Sequence, residues 1–240
     1  MAQAYRNQRE PLLSPPQSFA ELNERAAALL GQNLAVLAQL ARLRLPDSTL
    51  HGKGFAGELI EILLGADAGS DSAPDFSTLG VELKTMPVDG NLMPLESTFI
   101  CALNLQNLRG VDFWHSVLWH KMQRMLWVFI RAERERTLPE RYVAGYYFYR
   151  PSGEDLRQLE QDYNELTSLI CEGRIEELTA HLGEIVQLRP KAADGTALTP
   201  CVGPDGTLIM TRPRGFYLRR SFTSRICASL SAAGTAKAQA

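Results

Sequence analysis

The stretch Pro74–Pro87, PDFSTLGVELKTMP, decides how this chain is read. Side chains on a strand alternate between its two faces, so a strand with one dry side shows apolar and polar residues in turn. From Val81 the residues do this: Val81 and Leu83 point one way, Glu82 and Lys84 the other. An acid and a base therefore share one face of a predicted strand. Asp75 stands just upstream, in a segment with the residues of a turn.

On the N-terminal side, FAGELIEILLGA repeats apolar residues at helical spacing, with Leu59, Ile62 and Leu63 as the expected core stripe, Glu61 on the same helix and Gly65 at its end. Earlier still, Ser18 and Glu21 have the spacing of a capping box. Leu22, Ala26, Leu29 and Leu30 carry helical periodicity toward Arg42, divided by Gly31 and Asn33. On the C-terminal side, STFICAL and LWVFIR are rich in strand-favouring residues and, with VELKT, predict a mixed central sheet. A helix is expected from Ser152 through Leu156, Leu159, Tyr163, Leu166 and Leu169, a shorter one over RIEELTAHL, and turns at Gly195, Gly203 and Gly206. The expected organisation is a single α/β domain over residues 16–228 with two lobes, between a poorly ordered tail at 1–15 and a disordered one at 229–240.

At 240 residues and 45% hydrophobic, the chain can bury a sizeable core. It has no apolar run of the roughly 18 residues that a membrane span requires, and MAQAYRNQREPLLSPP is too polar for a secretory signal. A cytoplasmic protein without a membrane partner is expected. Cys101, Cys171, Cys201 and Cys227 form no CxxC pair, which predicts reduced thiols, and His115 and His120 have neither the spacing nor the neighbours of a metal site. The net charge of −2 conceals a local bias. TRPRGFYLRRSFTSR, Thr211–Arg225, interleaves Arg212, Arg214, Arg219, Arg220 and Arg225 with Phe216, Tyr217 and Phe222 and contains no acid. It reads equally as a nucleic-acid contact and as a basic surface strand with structural aromatics.

Phosphodiester hydrolysis needs a divalent cation at the scissile phosphate, an activated water and a positive charge near the developing negative one. Mg2+ is a hard cation usually held by one or two carboxylates together with water and phosphate oxygens. Asp75 from the turn and Glu82 from the strand suit it, Glu61 from the helix completes the cluster, and Lys84 on the face of Glu82 is placed to orient a water or stabilise charge. Glu58, one turn from Glu61, reads either as a second acid or as a solvent-facing charge. The order Pro74-Asp75…Glu82-Leu83-Lys84 resembles the D…ExK pattern of the restriction-enzyme-like nucleases. These residue types are common, and the pattern alone also fits an exposed strand face with a Glu/Lys pair. The helix bearing Glu61 and the basic aromatic segment favour a nuclease.

Longer matches run in the same order along most of the chain: PLLSPP, GFAGELIEILLGADAGS, PDFSTLGVELKTMPVD, PLESTF, HKMQRMLW, LRPKAADGTALT and PRGFYLRRSFTS. In these the sequence resembles the MutH family of methyl-directed DNA mismatch repair. The resemblance implies a restriction-endonuclease-like α/β fold, a mixed central sheet flanked by helices, with two arms around a DNA-binding cleft. It implies a monomeric, Mg2+-dependent endonuclease that nicks the unmethylated strand of double-stranded DNA at hemimethylated GATC sites, activated by MutL and, indirectly, by MutS. The family's catalytic and metal positions fall on Glu61, Asp75, Glu82 and Lys84, and its DNA-binding positions on Lys53, Glu96, Phe99, Lys121, Arg189 and Tyr217. Arg189 suits a guanine edge, Phe99 an apolar base contact, Lys53 and Lys121 phosphates or positioning, and Tyr217 the sensing of adenine methylation. The C-terminal SRICASLSAAGTAKAQA and the segment RAERERTLPERYVAGYYFYR depart from the family pattern. A restriction-type enzyme cutting both strands and a catalytically silent DNA-binding scaffold are the alternatives.

Overall fold

The structure is a computed structural model that describes residues 12–46, 54–69, 73–191 and 196–233. Its helices are α1 (Phe19–Ala28), α2 (Leu34–Leu40), α3 (Phe55–Leu64), α4 (Val117–Met122), α5 (Gly153–Cys171) and α6 (Arg220–Ala233). Its strands are β1 (Glu82–Val88), β2 (Thr98–Leu103), β3 (Met125–Arg131), β4 (Tyr142–Tyr149), β5 (Val186–Pro190), β6 (Thr199–Val202), β7 (Leu208–Thr211) and β8 (Arg214–Leu218). The result is an α/β protein of small sheets flanked by helices, as in the restriction-endonuclease-like fold. The described residues form two compact units, one built from those up to 92 and from 126–148, the other from 93–125 and from those between 149 and 232.

In the first unit, capping chemistry sets the helix boundaries. Ser18 Oγ accepts from the Glu21 N–H at 3.2 Å, while the Glu21 carboxylate reaches back to the Gln17 N–H at 2.8 Å, one residue before the cap. Asn33 Oδ1 starts α2 by accepting from the Val36 N–H at 2.8 Å. Helix α3 ends at Gly65, whose φ of 80° suits glycine, and a Cβ there would stand 2.7 Å from the Ser14 carbonyl oxygen. Arg25 seals that end by donating to the Leu64 and Ser14 carbonyls at 2.8 Å each, a cation at the negative pole of the helix that carries Glu61. Leu59, Ile60, Leu63 and Leu64 are buried and Ile62 only partly so. The buried stripe is therefore wider than Leu59, Ile62 and Leu63, because α3 packs against α1, α2 and β1 together.

Strands β1, β3 and β4 form one sheet in the order β1-β3-β4. Central β3 is buried from Met125 to Ile130, as a strand covered on both faces must be. Strand β4 lies in the segment that departs from the family pattern; Val143 and Tyr146 enter the core, and the Tyr146 hydroxyl donates to Asn23 Oδ1 at 3.0 Å.

In the second unit, β2 does not join β1 and β3 but pairs antiparallel with β8, which pairs antiparallel with β5. A separate ribbon pairs β6 with β7. Helix α5 buries Leu159, Tyr163, Leu166 and Ile170 and, among them, Asp162. The Asp162 carboxylate accepts from the N–H groups of Glu184 at 3.0 Å, Ile185 at 2.6 Å and Val186 at 2.9 Å and from Gln158 Nε2 at 2.8 Å, so it holds the start of β5 to α5. The predicted helix over RIEELTAHL shrinks to a single tight turn at Ile175–Glu177. Only Ile175 of its apolar residues is buried, and Arg174 closes the turn through Glu172 and Glu177, so nothing anchors a longer helix. Of the expected turns, Gly203 and Gly206 join β6 to β7, and Gly195 lies outside the described residues. Helix α6 continues past residue 228, with Phe222, Ile226, Cys227 and Leu230 buried at helical spacing. Among the described residues, no helix is long and apolar enough to cross a membrane.

Candidate functional site

Asp75 is held in its turn from two sides. Its carbonyl oxygen accepts from the Asp67 N–H at 2.9 Å and the Ala68 N–H at 3.3 Å. The Asp67 carboxylate in turn accepts from the Ser77 N–H at 2.8 Å and the Ser77 hydroxyl at 2.6 Å. The turn folds back through a Phe76–Val81 bridge, so that Asp75 Oδ2 accepts from the Leu83 N–H at 2.8 Å. Strand β1 is at the sheet edge, and the carboxylate covers one of its edge N–H groups.

Glu82 and Lys84 share a face, as alternation requires, and Lys84 Nζ donates to Glu82 Oε1. The face is not an exposed one. Glu82 is only 2% exposed, and a carboxylate with so little water needs a cation and hydrogen bonds beside it. Asp75 thus meets the peptide that joins Glu82 to Leu83, and Lys84 meets Glu82 itself. Glu61 is half-buried on α3, one turn beyond Gly57, whose added Cβ would lie 3.5 Å from Thr85 Oγ1 of β1. Glu58, in the first turn of α3, is also half-buried.

Among the described residues, no group of three or more His, Cys, Asp and Glu side chains stands ready as a metal cage. That does not disqualify the site for Mg2+, which keeps waters and takes one or two carboxylates together with substrate oxygens. Asp75 and Glu82, brought to one peptide unit, are hard oxygen donors of that kind.

A second cluster lies on the β2-β8-β5 sheet of the other unit. Register places Phe99 opposite Tyr217 and Gln187 opposite Tyr217 on its other side, with Arg189 opposite Gly215. The Phe99 and Tyr217 rings meet edge to face at 5.2 Å. The Arg189 guanidinium lies 5.1 Å from the Tyr217 ring centre, and Lys191 Nζ 4.9 Å from that of Phe99. Burial pushes the Tyr217 phenol up, with Arg189 opposing more weakly, so the hydroxyl keeps its proton at neutral pH. Lys191, just past the end of β5, is not singled out by the sequence; its two-residue spacing from Arg189 is the signal that would put both on one face.

Gly215 makes this cluster possible, since a Cβ there would come 2.7 Å from Phe99 Cε2 and 3.0 Å from the Cys101 carbonyl oxygen. Gly215→Ala is expected to displace the Phe99 ring and destabilise the protein by about 1–3 kcal/mol, as overpacking does, measured by urea unfolding.

The basic segment divides in the structure. Arg219 donates to the Gly183 carbonyl at 2.5 Å and the Ala180 carbonyl at 3.0 Å, Arg220 to the Pro94 carbonyl at 2.8 Å, and Arg225 pairs with Asp155 at 2.8 Å. Phe216 and Phe222 are core residues. These residues serve the fold, and Tyr217, half-buried, is the aromatic of the segment that reaches the surface cluster. Of the other predicted positions, Glu96 is exposed beside Ser97. Lys121, 8% exposed on the last turn of α4, is better suited to positioning than to an open phosphate contact. Lys53 lies outside the described residues.

Residues 64–162 match the family described as DNA mismatch repair enzyme MutH, a span that includes Asp75, Glu82 and Lys84. Over 212 residues the chain is 45% identical to the DNA mismatch repair protein MutH of Shewanella baltica (strain OS185), covering 88% of this chain and 95% of that one. The chain belongs to the MutH family. This MutH-family protein is likewise 45% identical to the protein of that name from Shewanella sp. (strain MR-7) and 43% identical to that of Shewanella oneidensis, with the same coverage of 88% and 95%.

Proposed function

We propose that this MutH-family DNA mismatch repair protein is a Mg2+-dependent endonuclease that nicks the unmethylated strand at hemimethylated GATC sites, as a monomer in the cytoplasm, under activation by MutL with MutS upstream. The observation that carries the reading is the pairing of Lys84 with a nearly dry Glu82 next to the peptide that Asp75 holds. An exposed Glu/Lys pair on an ordinary strand face would not be buried in this way.

Asp75 and Glu82 would hold the metal, and Glu61 would complete or tune the acidic cluster. Bound there, Mg2+ would neutralise the scissile phosphate and make a water acidic enough to attack it. Lys84, kept in place by Glu82, orients the attacking water and stabilises the negative charge that develops on the phosphate. Because Asp75 is tied to β1 through the Leu83 N–H and to Asp67 through its carbonyl, these groups are set before DNA arrives. On the β2-β8-β5 sheet, Arg189 would take a guanine edge in two-pronged fashion, and Phe99 would make an apolar base contact. Tyr217 would sit against the adenine amine, where an added methyl group displaces a ring already held by Phe99. Lys53 and Lys121 would contact phosphates or position groups within the site, Lys191 would add a phosphate contact, and Glu96, an acid that phosphates repel, would meet a base amine rather than the backbone.

The test is cleavage of a closed circular plasmid carrying one GATC site, prepared unmethylated, hemimethylated and fully methylated, with and without MutL and ATP. Nicked circles from the first two substrates only, stimulated by MutL and abolished by EDTA, are the expected result. Linear product without MutL points instead to a two-strand restriction cut, and closed circles under conditions of measured DNA binding defeat the nuclease reading.

A further inference from the structure

We propose that Ser97 is a positioning residue for sequence recognition, its hydroxyl setting the plane of the Arg189 guanidinium; this rests on the reading of the β2-β8-β5 sheet as the DNA-reading face. Arg189 is exposed near the outer end of β5. A free arginine side chain samples many rotamers, and a two-pronged contact with a base edge requires one position and one orientation of its plane. Two contacts supply these. The Arg189 guanidinium carbon lies over the Tyr217 ring at 5.1 Å from its centre, a contact that limits its height above the sheet. That contact alone leaves the guanidinium free to rotate, because a ring face offers no directional acceptor. Arg189 Nη1 donates to Ser97 Oγ at 2.6 Å, a directional bond that removes that rotation.

The bond engages Nη1 and does not involve the Nε–Nη2 edge, one of the guanidinium edges able to present two donors to O6 and N7 of guanine. Ser97 lies immediately before β2, whose next residues pair with Leu218 and Tyr217 of β8. The hydroxyl is thus fixed by the same strand that carries Phe99, and the same sheet fixes both Arg189 and Tyr217. A change at the Ser97 hydroxyl alters the aim of Arg189 without removing a group proposed to touch DNA, whereas a change at the Tyr217 ring would do both. Pre-aiming shows as discrimination between bases, since phosphate contacts elsewhere are indifferent to it.

The experiment measures binding of the full chain, without divalent ion, to a short duplex with GATC, to the same duplex with 7-deazaguanine for the GATC guanine, and to an unrelated duplex. Wild type, Ser97→Ala, Ser97→Thr and Arg189→Ala are compared. The 7-deaza base lacks the N7 acceptor and isolates the contact in question. Wild type is expected to lose roughly tenfold on that base, the size of one charged hydrogen bond. Ser97→Ala is expected to lose about the same on the natural duplex and to be insensitive to the 7-deaza base, with unchanged salt dependence on the unrelated duplex. Ser97→Thr keeps a hydroxyl and is expected to retain the wild-type pattern. If Arg189→Ala loses discrimination while Ser97→Ala keeps it, the positioning role is overturned and the DNA-reading face stands. If Arg189→Ala itself keeps full discrimination, the DNA-reading face fails and the role of Ser97 falls with it.

Discussion

Lys84→Ala is expected to lower DNA nicking by about a hundred- to a thousandfold, the loss seen when a charge-stabilising donor is taken from a developing oxyanion, with binding to a GATC duplex held within a few-fold. The separation of the two effects comes from placement. The ammonium is paired to Glu82 in the unit that holds Asp75 and Glu61, whereas the residues proposed to read DNA lie on the sheet of the other unit. Removal of Lys84 also takes a cation away from the nearly buried Glu82 carboxylate, so the variant protein should bind Mg2+ no more weakly than wild type and gain affinity where electrostatics dominates. Single-turnover cleavage with saturating protein measures the chemical step, and titration of Mg2+ by calorimetry measures the second effect. Cleavage at the wild-type rate would remove Lys84 from the mechanism. Glu82→Ala is expected to lose cleavage to a similar extent but to lose Mg2+ binding as well, and the two variants are distinguished on that basis.

Asp162→Ala is expected to be among the most damaging single changes to stability, at about 3–5 kcal/mol, the cost of leaving buried partners of a lost charge unpaired. Its carboxylate is fully buried and accepts from three successive backbone N–H groups at the start of β5. The Ile185 and Val186 N–H groups are buried and have no water to turn to, and Gly183, at φ 76° with the Val186 carbonyl packed against it, leaves no room for the chain to relax. A fall in melting temperature on the order of 10 °C is expected for a chain of this size, measured by calorimetry. Because β5 carries Arg189, sequence discrimination in DNA binding is expected to weaken at temperatures where the fold is still populated. A change of less than about 1 kcal/mol would mean that the strand start is held by packing alone.

Much of this chain is legible along one dimension. Ser18, Asn33 and Gly65 mark helix ends by chemistry that acts within four residues, and alternation around Glu82 and Lys84 puts both on one face of β1 whatever that face meets. The same locality explains the failures. RIEELTAHL has helical propensity, but only Ile175 finds a core to enter, and YVAGYYFY becomes a strand because β3 lies beside it. In SRICASLSAA, Ile226, Cys227 and Leu230 have the helical spacing that the small residues around them obscure.

The local elements, and the chemical type of the residues at Asp75, Glu82, Lys84, Arg189 and Tyr217, are therefore written along the chain. Which charges are available for chemistry is settled by tertiary structure. Arg219, Arg220 and Arg225 look identical to Arg189 in the sequence, yet backbone carbonyls and Asp155 take them, while Arg189 meets Ser97 and the Tyr217 ring. It decided likewise that Glu82 is dry and that Asp75 reaches the Leu83 N–H. The reason is that propensity and alternation are properties of neighbours in the chain, whereas desolvation and hydrogen-bond partnership depend on groups brought together from distant parts of it.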